Sequence, residues 1–183
     1  MRIARWTDEP ARAELESAID AIFFEASAVK AFESREARAA YRDRWLGCYQ
    51  RLWPENVWLA LEDREPPLPP GVLGYLVGCT ENPATSPHFS DLAYFQAFAA
   101  LCADYPAHLH INVAAAHRGA GIGAHLVAAF IADLRRRGVP GVHVVTGAKA
   151  RNIGFYAQQG FQMRGQVSWR GNPVVLLGRI LTD

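Results

Sequence analysis

A strand, a glycine cluster and a helix follow one another in HLHINVAAAHRGAGIGAHL, residues 108–126. Residues 108–113 alternate strictly between polar and apolar side chains, which is the period of a β-strand. The segment after the glycines has the apolar spacing of an amphipathic helix. Free main-chain N–H groups and the positive dipole end at the start of a helix bind phosphate. This order predicts a phosphate site at the turn, and a tight turn without a ligand is the alternative.

Two common phosphate-binding motifs fit the turn less well. No Gly-Lys-Ser/Thr follows the glycines, which excludes the P-loop. Gly119, Gly121 and Ala124 match the dinucleotide pattern G-x-G-x-x-G/A. That pattern needs an acidic residue about 20 residues further on to bind the ribose, and residues 141–150 (GVHVVTGAKA) contain none. A nicotinamide-dependent oxidoreductase is therefore the weaker interpretation.

Length and composition indicate one soluble domain. The 183 residues, half of them hydrophobic, fit a single domain over 1–183. A net charge of +1 argues against a nucleic-acid partner. The N-terminus lacks the apolar core of a signal peptide and no stretch is long enough to span a membrane, so we expect no membrane association. Cys48, Cys79 and Cys102 have neither zinc-ligand nor disulfide spacing. We interpret them as reduced core thiols of a cytoplasmic protein that holds no metal.

Hydrophobic periodicity and turn residues predict a mixed order of elements. The predicted strands cover residues 2–6, 56–62, 71–79, 108–114, 141–146, 161–169 and 172–180, and the predicted helices cover 9–27, 34–52, 91–101, the segment after the glycines and 150–160. Ser90 or Asp91 is expected to cap the third helix. In the second helix, one stripe should comprise Tyr41, Trp45, Cys48 and Leu52. A strand, helix and strand around the glycine turn indicate a parallel pair.

A longer motif adds a specific resemblance. Arg118-x-x-Gly121-x-Gly123 follows a strand that contains Val113, and Asn152 with Phe155-Tyr156-x-x-x-Gly160-Phe161 comes about thirty residues later. This combination resembles the GNAT superfamily of acyl-CoA-dependent N-acyltransferases, strongly over residues 108–165. YPAHLHI and VPGVHV are more narrowly similar to a subgroup that includes the acetyltransferase-like domain of some O-GlcNAcases.

The resemblance implies a fold and a cofactor site. The expected fold is mixed α/β, with a largely antiparallel sheet of about six or seven strands, a splayed parallel pair at strands 4 and 5, and helices on both faces. Acetyl-CoA would be the cofactor. Its pantetheine would lie along Ile111, Asn112 and Val113, and Asn152 and Phe155 would contact the cofactor arm. The diphosphate would bind the glycine turn, which comprises Arg118, Gly119, Ala120, Gly121, Ile122 and Gly123.

The resemblance also implies an amine as acceptor and Tyr156 as general acid. His110 is the leading candidate base, because an imidazole of ordinary pKa is mostly neutral at pH 7, and His143 is the second. Members of the subgroup often carry an acid where this chain has Asn112, so a catalytically silent acyl-CoA-binding domain is the alternative to an enzyme. The polar stripe His108, His110 and Asn112 either faces the acceptor cleft or is merely solvated.

The acceptor is expected to be a small molecule, because the net charge is low. Asp91 and Asp104 either bind its ammonium group or are solvated loop acids. A homodimer is left open. Most of the aromatic residues near the expected acceptor site should be core: Trp45, Trp53, Phe89, Tyr94, Phe95 and Tyr105.

Overall fold

The computed structural model describes residues 1–10, 12–63 and 71–182. Its strands are β1 (Arg2–Arg5), β2 (Val57–Glu62), β3 (Gly71–Cys79), β4 (Ala107–Val113), β5 (Gly141–Gly147), β6 (Gln162–Trp169) and β7 (Asn172–Ile180). Its α-helices are α1 (Arg12–Ala26), α2 (Arg35–Arg42), α3 (Cys48–Leu52), α4 (Ala93–Ala97), α5 (Ala99–Asp104), α6 (Ile122–Arg136) and α7 (Ile153–Gln158). The predicted strands are confirmed to within a residue or two at their ends. The proline-rich connection at 64–70 lies outside the described residues.

The strands form the expected mixed α/β arrangement. They are hydrogen-bonded in the order β1-β2-β3-β4-β5-β7-β6. The sheet is mostly antiparallel, and β4 and β5 form its parallel pair. By internal contacts the chain divides into a first unit, Met1–Gly78 with His110–Phe130, and a second unit, Cys79–Leu109 with Ile131–Asp183.

In the first unit, β1, β2 and β3 pair in antiparallel fashion, with Ala4 opposite Leu59 and Leu59 opposite Tyr75. Residues 57–61 of β2 are all buried, because an apolar run without alternation places side chains in the interior on both faces of a strand. The main-chain N–H of Ala114 donates to the carbonyl oxygen of Leu73 at 3.0 Å. This bond anchors the end of β4 beside β3.

In the second unit, β4 begins parallel to β5, with Ala107 opposite Val142 and His108 opposite His143. β7 pairs in antiparallel fashion with both β5 and β6. Arg170 and Gly171 form the hairpin turn between β6 and β7, with φ values of 50° and 76°.

The helix after the glycines has the predicted apolar face. Its apolar stripe is buried throughout: Leu126, Val127, Phe130, Ile131 and Leu134. The helix ends at Arg136, and Gly138 follows with a φ of 68°, as expected for a glycine that stops a helix.

The stripe predicted for the helix at 34–52 is wrong. Ser34 caps α2 by accepting a hydrogen bond from the N–H of Ala37, but residues Asp43–Gly47 form a π-helical segment between α2 and α3. An extra residue in a turn rotates the helical face that follows it. Leu52 is consequently 39% exposed, and the buried positions are Leu46, Gly47, Tyr49 and Trp53.

The predicted cap at Ser90 or Asp91 is also wrong. The Ser90 hydroxyl donates to the carbonyl oxygen of Pro87 at 3.0 Å, so it is engaged in the preceding turn. α4 begins at Ala93 without a side-chain cap, and Phe98 separates it from α5.

Other sequence expectations concern thiols and membranes. Cys79 and Cys102 are buried thiols, as predicted, whereas Cys48 is only half-buried. Within residues 1–10, 12–63 and 71–182, we find no helix with the length and apolar character needed to cross a bilayer.

Candidate active site

The glycine turn lies in the first unit and opens α6. Gly119 and Gly121 have φ values of 84° and 78°, a region that residues with a Cβ adopt only with strain. A Cβ placed on Gly119 would meet no atom within 4 Å. The glycines are therefore required by backbone conformation, and the exposed turn leaves room for a ligand above it.

The donors around this turn suit a diphosphate. α6 begins at Ile122, and the first amide groups of an α-helix have no acceptor within the helix. Arg118 is exposed, and its Nε donates to the carbonyl oxygen of Val113 at 3.1 Å. This bond restrains the guanidinium of a residue four positions before the helix start, so a cation and main-chain amides occur in the same short segment.

Glu25, at the end of α1, lies against the segment that follows β4. Its Oε2 accepts a hydrogen bond from the main-chain N–H of Ala115 at 3.1 Å and lies 3.9 Å from the Arg118 guanidinium. The carboxylate thus helps to fix Arg118. Nothing in the sequence spacing indicates this contact, because it joins positions 90 residues apart.

The polar side chains of β4 contact buried tyrosines. The Nε2 of His110 lies 3.1 Å from the Tyr49 hydroxyl, and Asn112 Nδ2 donates to the Tyr75 hydroxyl at 2.7 Å. The rings of Trp45 and Tyr49 meet the imidazole edge-on, each with centroids 5.5 Å apart. Neither side chain is freely solvated, and both remain partly exposed.

Tyr49 and Tyr75 are functional candidates that the sequence interpretation missed. Both are 1% exposed, and burial raises the pKa of Tyr75 well above its usual value. Both phenols are therefore buried hydrogen-bonding partners of β4 side chains in the first unit. Tyr49 lies in a largely polar helix outside the predicted stripe, and Tyr75 lies in an apolar strand, so neither position indicated a functional hydroxyl.

The other two histidines of interest are buried in the second unit. His108 and His143 lie 5.6 Å apart by ring centroid, and both contact Phe95. His143 is 0% exposed and its Nδ1 lies 2.5 Å from the carbonyl oxygen of Tyr105. Burial lowers the pKa of His143 to about 4. Without access to solvent, His143 is poorly placed to act as a base.

Tyr156 and Asn152 are also in the second unit, at α7. Tyr156 is 4% exposed and packs between the rings of Phe155 and Phe161. Burial raises the pKa of its phenol well above the usual value. Asn152 precedes α7 and is exposed, and its Oδ1 accepts a hydrogen bond from the Thr146 hydroxyl at 3.0 Å.

Of the remaining predicted residues, the two acids are exposed and most of the aromatic residues are buried. Asp91 and Asp104 are exposed, as expected of loop acids. The expected core aromatics are buried apart from Trp45, which is half-buried: Trp53, Phe89, Tyr94, Phe95 and Tyr105.

Comparison with known families and structures identifies the class. Residues 21–161 match the family of acetyltransferases described as the acetyltransferase (GNAT) family. This match covers most of the chain, and the chain therefore belongs to that family. It is accordingly an acetyltransferase, and the family's acetyl donor is acetyl-CoA.

Solved structures share this fold over nearly the whole chain. The structure of SsHAT is 23% identical, covers 100% of this chain and 98% of its own, and has a TM-score of 0.72. A ribosomal-protein-alanine N-acetyltransferase from Brucella melitensis is 21% identical, with coverages of 98% and 99% and a TM-score of 0.60. The putative acetyltransferase yncA from Salmonella typhimurium, solved with acetyl-CoA, is 17% identical, with coverages of 100% and 95% and a TM-score of 0.59.

Proposed function

We propose that this protein transfers the acetyl group of acetyl-CoA to the primary amine of a small molecule by direct attack in a ternary complex. The glycine turn is the observation that carries this proposal. Two left-handed glycines and Arg118 open α6 directly after the strand whose main chain the family uses for pantetheine. Few ligands other than a diphosphate need so many aligned main-chain donors with so little side-chain bulk.

The proposed cofactor contacts follow from the family resemblance. In the first unit, residues 118–123 bind the diphosphate, and the main chain of Ile111, Asn112 and Val113 binds pantetheine. In the second unit, Asn152 and Phe155 contact the cofactor arm. The hydrogen bond from Thr146 supports this role of Asn152, because it fixes the amide and leaves the Nδ2 donor group pointing away from the bond.

Acetyl-CoA supplies an activated acyl group and a thiolate leaving group. The amine nitrogen attacks the carbonyl carbon, the C–N bond forms, the C–S bond breaks, and the thiolate needs a proton. Tyr156 is the proposed acid. Its place in the motif Phe155-Tyr156 supports this role, and burial raises the pKa of the phenol, which is protonated in the neutral range. The proton that the attacking amine releases to the base balances the proton that the phenol gives up.

His110 is the proposed base that takes the proton from the amine, directly or through one water. Tyr49 supports this role because its hydroxyl lies 3.1 Å from Nε2 and so orients the imidazole. Asn112 cannot act as a base, and its bond to Tyr75 supports a structural role for its side chain.

The finer features of the proposal come from the sequence. The low net charge favours a small-molecule acceptor over a cationic protein tail. A cytoplasmic location, a single domain over residues 1–183, a homodimer and a closer relation to the O-GlcNAcase-linked subgroup remain predictions.

The proposal is tested by measuring thiol release from acetyl-CoA with a panel of amines. Saturable release with a small amine is the expected result. Acetylation of peptides with no activity on small amines would contradict the acceptor class. Acetyl-CoA binding without thiol release for any amine would instead indicate a silent binding domain.

A further inference from the structure

His125 lies in the first turn of α6, and its side chain folds back against the glycine turn. Its main-chain N–H donates to the carbonyl oxygen of Gly121 at 3.2 Å, and its Nδ1 lies 3.0 Å from the same oxygen. A Cβ placed on Gly121 would lie 3.8 Å from the Cε1 atom of the imidazole. The ring is therefore in direct contact with the segment proposed to bind the diphosphate.

The contact with Gly121 fixes which nitrogen of the neutral imidazole carries the hydrogen. A carbonyl oxygen only accepts hydrogen bonds, so Nδ1 is the donor in this contact. In the neutral ring, Nε2 is then an unprotonated acceptor. An ionised phosphate oxygen also only accepts, so a hydrogen bond between Nε2 and such an oxygen requires a second proton on the ring.

The imidazole of His125 is open to solvent and to a ligand. The residue is exposed, and so is Ala128 three residues further along the helix. His125 is also the only titratable side chain of α6 before Asp133. The helix thus presents a single titratable group at the end where the phosphates of the cofactor are proposed to bind.

Few other charges are available to an anion at this turn. Within residues 115–125 and the last turn of α1, the other charged or titratable side chains are His117, Arg118 and Glu25. The Arg118 guanidinium lies 3.9 Å from the Glu25 carboxylate, so an internal anion already offsets part of its charge. His117 is half-buried, and Lys30 Nζ donates to the carbonyl oxygen of Glu25 at 2.7 Å. A proton on His125 would add a cation for a ligand that carries several negative charges.

We infer that His125 binds a phosphate group of acetyl-CoA in its protonated form, so that cofactor binding is coupled to the uptake of a proton. Nδ1–H keeps its bond to Gly121, Nε2–H donates to an ionised phosphate oxygen, and the charge of the ring offsets that of the anion. This inference rests on the proposed function and adds a residue and a pH dependence to its cofactor site. The phosphate belongs either to the diphosphate or to the 3′-phosphate of coenzyme A, and the experiment separates the two.

The test is calorimetric titration of acetyl-CoA into the wild-type protein and three variants at pH 6 and at pH 8. The wild type should bind about tenfold more tightly than His125→Gln at pH 6 and equally at pH 8, because an imidazole ordinarily takes up its proton between these pH values and then forms an ionic hydrogen bond. His125→Lys is charged at both pH values and should bind more tightly than His125→Gln at both. His117→Gln, at the nearest other histidine in the sequence, is the matched control and should bind like the wild type.

The ratio of wild-type to variant affinity cancels the titration of the ligand's own 3′-phosphate, whose second pKa also lies near 6. If the wild type does not bind acetyl-CoA at all, the proposed function fails and the inference fails with it. If it binds and its ratio to His125→Gln is the same at both pH values, only the inference is overturned. Repeating the titrations with acetyl-3′-dephospho-CoA identifies the anion: a pH-dependent ratio that persists assigns the diphosphate, and one that disappears assigns the 3′-phosphate.

Discussion

At the scale of single residues, Tyr156 is a buried phenol in apolar surroundings. The side chain is almost fully buried between two aromatic rings. A low-dielectric environment disfavours the phenolate, which raises the pKa of the phenol. The residue therefore stays a proton donor at any pH at which the protein is expected to work.

Tyr156→Phe removes only the phenolic hydroxyl group and keeps the aromatic ring. Tyr156→Phe should lower kcat by roughly 100-fold or more, the usual contribution of a general acid, and leave acetyl-CoA affinity unchanged. Steady-state kinetics and calorimetry on the same preparation provide the measurement. Tyr105→Phe is a comparison variant at another buried tyrosine of the second unit. Unchanged turnover at saturating amine would exclude Tyr156 as the acid.

His143 makes a separate prediction about stability and pH. Its pKa is about 4 in the folded protein because it is buried and about 6.5 in an unfolded chain. Between these pH values the unfolded state binds a proton that the folded state does not. The stabilisation that the neutral, buried His143 provides is fully present above about pH 6.5. As the pH falls towards 4, the free energy of unfolding decreases by up to about 3 kcal/mol because of this residue.

The measurement is urea unfolding at several pH values for wild type and His143→Asn. Asparagine keeps a donor near the position of Nδ1 but does not titrate. The variant should lose less stability than the wild type between pH 6.5 and pH 4.5. Parallel pH dependences for the two proteins would show that His143 is not the responsible group.

Sequence reasoning located the candidate groups of β4 but not their partners. Strict alternation places His110 and Asn112 on one face of the strand. Their contacts, Tyr49 and Tyr75, come from elements 61 and 37 residues away. Tyr75 lies in an apolar strand and Tyr49 in a largely polar helix, and neither position indicates what the hydroxyl group binds.

At the scale of elements, the turn before α6 is the feature that the local sequence predicts most completely. The alternating side chains predict the strand, the glycines permit the positive φ values of the turn, and the apolar stripe predicts the helix. Each of these patterns lies within the segment itself. The helix at 34–52 contrasts with it. Its existence follows from local periodicity, but the π-helical segment at Asp43–Gly47 depends on packing and changes which face is buried.

Gly121→Ala tests whether the turn acts as a phosphate site. The new Cβ would meet His125 only at ordinary contact distance, so the cost comes from the φ of 78°. We expect a loss of about 1 kcal/mol in unfolding free energy and an additional loss of acetyl-CoA affinity.

Gly138→Ala is the matched control, because Gly138 has a φ of 68° and open space around its Cβ position. It should lose similar stability and bind acetyl-CoA like wild type. Equal effects of the two substitutions on affinity would contradict a role of the turn in binding.

At the scale of the whole molecule, the resemblance predicted a largely antiparallel sheet of about six or seven strands, and the strand-helix-strand pattern predicted its parallel pair. The division of the chain into two units could not be predicted from the sequence, because it depends on contacts between segments far apart in sequence. β4 contributes its first residues to one unit and His110 onwards to the other.

The central claim is that the native fold binds acetyl-CoA through the glycine turn, and a thermal melt with increasing acetyl-CoA tests it most directly. A ligand that binds only the folded state adds about 2.7 kcal/mol of stability at one hundred times its dissociation constant. We predict a saturable rise in the melting temperature of the wild-type protein. An unchanged melting temperature at millimolar acetyl-CoA would contradict the claim.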